Sequence, residues 1–176
     1  MPDKHPPILG FAAFSGTGKT HLLTRLIPIL KNLGLRIGVI KHSHHDFDID
    51  HPGKDSFRLR AAGATPVMLV SPYRRAVITE FSPPRDIKLR EQLAAFPCEA
   101  LDLILIEGFR DEAFPKIELH RPALAKPLLY PTDTNIIAIA SDQPLTTPAH
   151  LPCLDLNDPD AIAEFILHHF PRIDSD

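Results

Sequence analysis

The chain has 176 residues, a length that suits one domain and leaves little room for a second full one. Its 44% hydrophobic and 23% charged residues exclude a disordered, collagen-like or coiled-coil chain. With 19 basic against 22 acidic side chains, a formal net charge of −3, no general pull towards nucleic acid or an anionic membrane surface is expected.

The opening stretch from Met1 to Pro7 lacks the basic-then-apolar layout of a secretion signal. No apolar run approaches the ~18 residues of a membrane span. Cys98 and Cys153 form no CxxC pair, which excludes a disulfide framework or zinc finger and fits a reducing compartment. The expectation is a cytoplasmic protein with residues 1–7 as a tail and 8–172 as one domain. The 19 prolines punctuate apolar runs and gather into no linker.

Ile8 to Phe14 reads as a buried strand feeding the small polar string Ser15-Gly16-Thr17-Gly18. Lys19 to Leu33 follows as a helix, with Leu22, Leu23, Leu26, Leu30 and Leu33 at helical spacing, Gly34 as its stop and Pro28 predicting a local bend. Leu35 to Ile40 reads as a strand and runs into the polar segment Lys41 to Asp50. Asp55 or Ser56 caps a short helix to Ala62. Val67 to Val70 and Ala76 to Thr79 read as strands paired across Pro72 to Arg75. Pro84 to Phe96 reads as a helix, Leu101 to Ile106 as a strand ending in Glu107-Gly108, and Lys116 to Leu119 and Ile136 to Ala140 as further strands. A last helix is capped by Asp158 and closed by Pro171. This alternation predicts a three-layer α/β fold, a mostly parallel sheet covered by helices on both faces.

Ala13 to Thr20 fits the phosphate-binding loop pattern at every fixed position but the first, where Ala13 stands for Gly. Gly16 and Gly18 let backbone N–H groups of Ser15 to Thr20 wrap an anion. Lys19 sets a charge against the β and γ phosphates, Thr20 offers a hydroxyl to Mg²⁺, and the helix N-terminus adds a positive field. Phe14 stands where the signature-lysine ATPases carry lysine, and the dinucleotide G-x-G-x-x-G fingerprint is absent. A mononucleotide with Mg²⁺ is the expected ligand.

Such a site needs a carboxylate at the carboxyl end of a neighbouring strand. Glu107 has that place, whereas Asp102 begins the same strand at the far edge. Gly108 is positioned to bring an N–H to the γ-phosphate, and Arg110 to supply transition-state charge in cis. The polar segment Lys41-His42-Ser43-His44-His45-Asp46-Phe47-Asp48-Ile49-Asp50, also at a strand end, should line the same crevice. There Asp46 and Asp50 would complete the Mg²⁺ sphere, Lys41 would neutralise a phosphate, and the histidines, with His51, admit a zinc or nickel reading beside that of plain polar loop residues. Lys54, at the edge of the next helix, is a second candidate anion contact, against the blander reading of a solvated charge.

Taken together, Phe11 to Thr20, Ile40 to Asp46, Pro52 to Ser56, Asp102 to Phe109, Pro115 to Ile117 and Ile139 to Asp142 resemble the molybdopterin-guanine dinucleotide biosynthesis protein B (MobB) family over about residues 8 to 170. The resemblance implies a GTP-binding protein with feeble intrinsic hydrolysis, commonly a homodimer. Such a protein assists a guanylyltransferase of the MobA type in attaching GMP to molybdopterin. It further implies that Ser15 to Thr20 hold the phosphates and that Thr20, Asp46 and Glu107 surround Mg²⁺. Lys41, His42 and Lys54 then face either the pterin or the γ-phosphate. The N-K-x-D and T-K-x-D guanine signatures are absent, and Asp142, following a strand at its carboxyl end, is the candidate acceptor for the guanine N1 and N2 hydrogens.

Three other readings fit the motifs. A small-molecule kinase would turn over at ~1–100 s⁻¹ with its acceptor. A metal-delivery GTPase of the hydrogenase or urease maturation kind would use His42, His44 and His45. A non-enzymatic adaptor would use the nucleotide only to set its conformation.

Overall fold

The computed structural model describes residues 5–43 and 45–171. Residues 1–4 of the expected tail, His44 of the histidine block and residue 172 at the expected domain end lie outside the described residues. In chain order the elements are β1 (Ile8–Ala12), α1 (Lys19–Asn32), β2 (Ile37–Lys41), α2 (Asp55–Ala61), β3 (Val67–Val70), β4 (Arg75–Ile78), α3 (Leu89–Ala95), β5 (Leu103–Glu107), β6 (Lys116–His120), β7 (Ile136–Ser141), β8 (Cys153–Asp155) and α4 (Pro159–His169). They fall into two compact units, 43–87 and the remainder of the chain.

The larger unit is built on a six-stranded sheet in the order β2-β5-β1-β6-β7-β8, with every neighbouring pair parallel. Parallel strands need crossovers and burial on both faces, which explains the near-continuous apolar runs of β1 and β5. One face carries Leu9, Phe11, Leu103, Leu105, Ile117 and Leu119, packed with Leu22, Leu26 and Leu30 of α1 and Ile162 and Ile166 of α4. The other face has less room over β1: a Cβ on Gly10 would lie 2.4 Å from the Phe114 ring. There Ile8 lines a groove with Leu89 and Leu93 of α3 and with Phe114. Ala12, Ile136 and Ile139 are covered by Leu128, Leu129, Tyr130, Leu145 and Leu151 from irregular chain.

The helix ends follow from local chemistry. Gly34 takes φ +84°, its N–H reaches the Lys31 carbonyl, and the Leu35 N–H reaches the Leu30 carbonyl, which satisfies the last carbonyls of α1. This paired cap takes Leu35 out of the strand, so β2 starts two residues later than the apolar pattern predicts. Pro28 is exposed and α1 runs through it, because the carbonyl that loses its donor belongs to exposed Thr24. Asp158 caps α4, accepting from the N–H groups of Asp160 and Ala161.

The helix expected over Pro84 to Phe96 is confined to Leu89–Ala95. Its first N–H, on Leu89, is satisfied by the Glu112 carboxylate at 2.8 Å, a partner 23 positions away that no local pattern reveals. β5 starts at Leu103 rather than Leu101 because Asp102 is drawn into an ion pair with Arg36, its carboxylate also accepting from the Arg36 N–H at 2.7 Å. β8 is three residues long, too short for any periodic run in the sequence to mark it.

The smaller unit contains α2 and the antiparallel hairpin β3–β4, with Val67 opposite Ile78 and Val70 opposite Arg75. Ser71 closes the turn by accepting from the N–H groups of Tyr73 and Arg74. Arg60, nearly buried, forms ion pairs with Asp48, Asp50 and Glu80.

Candidate functional site

The carboxyl ends of β1, β2, β5, β6 and β7 converge around the phosphate-binding loop. Gly16 and Gly18 stand at φ +82° and +101°, conformations that glycine adopts without steric cost. A Cβ on Gly16 would meet no atom of the protein within 4 Å, so within the chain itself it is the positive φ that demands glycine there. Thr17 is buried and pins the turn, its Oγ1 donating to the Phe14 carbonyl at 2.9 Å. Ser15 and Thr20 are exposed, with Thr20 in the first turn of α1.

Lys19 reaches back along the loop, and its Nζ donates to the Ala13 carbonyl at 3.1 Å. Its pKa lies below the ordinary lysine value, chiefly because partial burial disfavours the ammonium. Glu107 opposes that shift, while Lys41 and Arg110 add to it. Three cations and one carboxylate thus share the mouth of the loop, an arrangement short of negative charge and suited to a polyanion.

Glu107 stands where the sequence places it. It is in register with Phe11 of β1 on one side and Lys41 of β2 on the other, and its Oε2 lies 3.2 Å from the Lys41 Nζ. Gly108 follows at φ +106°, so close to β2 that an added Cβ would lie 2.7 Å from the His42 Cβ. His42 donates its N–H to the Glu107 carbonyl at 2.8 Å and stacks on Phe109 at 4.5 Å. Phe109 is buried and holds φ +51°, a strained conformation for a non-glycine residue. The Arg110 guanidinium lies over the Phe14 ring at 5.9 Å.

Asp142 immediately follows β7 and is ion-paired: its Oδ2 accepts from Arg121 Nη1 at 2.6 Å. Arg121, not among the residues singled out above, also donates from Nε to the Thr17 carbonyl at 2.9 Å. The available clue was its position just beyond β6, the same strand-end rule that found Glu107.

Asp46 and Lys54 belong to the smaller unit, where both are exposed, Lys54 as the cap of α2. Asp50, considered above as a metal-sphere acid, is committed elsewhere: its Oδ1 accepts from Ser56 Oγ and the His51 N–H, and its Oδ2 faces Arg60. Among the described residues no three His, Cys, Asp or Glu side chains converge as a metal site, so the zinc or nickel reading gains no support from them.

The family model described as molybdopterin guanine dinucleotide synthesis protein B matches residues 8–142. A molybdopterin-guanine dinucleotide biosynthesis adapter protein of Escherichia coli (strain K12) is 45% identical over 92% of this chain and 91% of its own length. A protein of the same name from Haemophilus influenzae is 43% identical over 93% and 91%. The solved structure of Bacillus subtilis MobB superposes with a TM-score of 0.73 at 25% identity, covering 93% of this chain and 98% of that one.

Proposed function

The chain belongs to the molybdopterin guanine dinucleotide synthesis protein B (MobB) family, and from that premise we propose that it is a GTP-binding accessory protein of molybdenum cofactor biosynthesis. In this reading it assists the guanylyltransferase that attaches GMP to molybdopterin. The observation that carries the reading is the convergence of Lys19, Lys41 and Arg110 with the Glu107 carboxylate at a phosphate loop in the middle of a parallel sheet.

Ser15 to Thr20 would hold the phosphates, and Thr20 and Glu107 would hold Mg²⁺, which neutralises phosphate charge when bound. Gly108 would present its N–H towards the γ-phosphate. Asp142 would read guanine through its free carboxylate oxygen lone pairs. Arg110, resting on Phe14, would add positive charge during a slow hydrolysis. His42, fixed against Phe109, would face the pterin side of the crevice.

A homodimer is supported by the smaller unit. A hairpin of two strands is marginal alone, and β3–β4 leaves Met68, Val70, Tyr73 and Val77 exposed on it. We place the protein in the cytoplasm, with Cys98 and Cys153 as free thiols; no helix among the described residues is long and apolar enough to cross a membrane.

Reconstitution tests the reading. Purified guanylyltransferase and molybdenum-bound molybdopterin are given GTP with this protein or with Lys19→Ala, and dinucleotide formation is followed. Stimulation by the wild type and none by Lys19→Ala is expected. Equal stimulation by both would show that the phosphate loop has no part in it.

A further inference from the structure

Arg121 joins two parts of the site that the chain itself separates. Its guanidinium lies against the phosphate loop: Nε donates to the Thr17 carbonyl at 2.9 Å, and a Cβ on Gly18 would lie 3.8 Å from Nη2. From the same planar fork, Nη1 donates to Asp142 Oδ2 at 2.6 Å. A lysine ammonium has one nitrogen and cannot reproduce two bonds in fixed directions from separate atoms.

The bond to Thr17 has a consequence for the anion cradle. The Thr17–Gly18 peptide is trans, so its C=O and its N–H point in opposite directions. Holding the carbonyl towards Arg121 therefore turns the Gly18 N–H away from Arg121. At Asp142 the same fork fixes the carboxylate by Oδ2 and leaves Oδ1 buried without a hydrogen-bond partner among the described residues. A buried carboxylate oxygen in that state is costly unless a donor arrives.

We infer that Arg121 is a positioning residue that couples the carboxylate at the end of β7 to the phosphate loop. A donor group of a bound base that engages Asp142 then steadies Arg121, and Arg121 steadies the Thr17–Gly18 peptide against the phosphates. The coupling rests on the reading of Asp142 as the guanine acceptor. The loop-positioning half does not.

The experiment is calorimetric titration of GTP, ATP and inorganic tripolyphosphate, each with Mg²⁺, into the full chain and into Arg121→Gln, Arg121→Lys and Asp142→Asn. Thermal melts establish that each variant is folded, and the lysine variant preserves charge should the glutamine variant fail to fold. Arg121 variants are expected to lose affinity for tripolyphosphate by about fivefold or more, the lower range of ordinary coupling between sites. They should also narrow the GTP/ATP preference, whereas Asp142→Asn should narrow the preference with less effect on tripolyphosphate.

Folded Arg121 variants with unchanged tripolyphosphate affinity would overturn the positioning role. A GTP/ATP ratio unchanged in Arg121 variants but collapsed in Asp142→Asn would overturn the coupling. An unchanged ratio in Asp142→Asn would remove the guanine reading and the coupling with it, while lost tripolyphosphate affinity in the Arg121 variants would still assign Arg121 to the loop.

Discussion

Lys41 and Glu107 occupy matched positions on adjacent parallel strands and hold an ion pair of 3.2 Å at the mouth of the phosphate loop. The carboxylate is 15% exposed and the lysine side chain 58%, so the acid is held by the fold while the lysine swings away at small cost. A Glu107 that binds Mg²⁺ must release this partner. Lys41→Met is therefore expected to tighten Mg²⁺ in the GTP complex by up to about fivefold, the worth of an exposed pair at ~1 kcal/mol. Titration of Mg²⁺ at saturating GTP measures it, and weaker metal binding in the variant would contradict a metal role for Glu107.

Lys19 carries a pKa lowered mainly by burial, and a bound polyphosphate will restore it towards 10.5 by favouring the ammonium. Anion binding then takes up a proton between the lowered free value and the restored bound value. Below that window Lys19 is charged in both states and contributes no pH dependence of its own. Within it, affinity falls as pH rises, by at most about one log unit per pH unit. Tripolyphosphate titrations across alkaline pH are expected to show this bend in the wild type and to lose it in Lys19→Arg, whose guanidinium keeps its charge throughout.

The buried lysine of β6 belongs to stability and not to ligand binding. Lys116 Nζ donates to the Glu112 carbonyl at 2.6 Å and to Asp133 at 2.9 Å, with Lys116 only 2% exposed. Lys116→Met strands a carboxylate and should cost ~3–5 kcal/mol. Lys116→Met with Asp133→Asn removes both charges and should recover part of that loss. Urea unfolding of the single and double variants reads the difference, and equal stabilities would mean the pair is not coupled.

The exposed hairpin gives the dimer a direct test. Val70 is 75% exposed on β3, and Val70→Lys puts a charge into any surface formed by a second hairpin while leaving the core of the larger unit untouched. Sedimentation equilibrium should find a dimer in the wild type and a shift towards monomer in the variant. A monomeric wild type, or an unmoved dimer, would place self-association elsewhere or nowhere.

Much of this arrangement was legible in the residues. The loop from Ser15 to Thr20 and its helix, the strand ending at Glu107, and the α/β class all follow from short-range spacing, because glycine, lysine and apolar periodicity act within one or two turns of chain. What escaped depends on contacts across the fold. The strand-end position of Arg121 is readable from the residues, but its bond to the loop emerges only where β6 ends beside Thr17, and the late start of α3 only where Glu112 caps Leu89. Asp50 reads as a metal acid from sequence because its partners, Ser56 on Oδ1 and Arg60 facing Oδ2, lie downstream in α2 and meet it only in the fold.

The measurement that bears most directly on the account is calorimetric titration of GTP and of ATP, each with Mg²⁺, into the wild type and into Lys19→Ala. GTP is expected to bind tighter than ATP by about tenfold or more, ~1.4 kcal/mol, and the variant to show no measurable binding. ATP binding as tight as or tighter than GTP, or GTP binding that survives loss of Lys19, would contradict it.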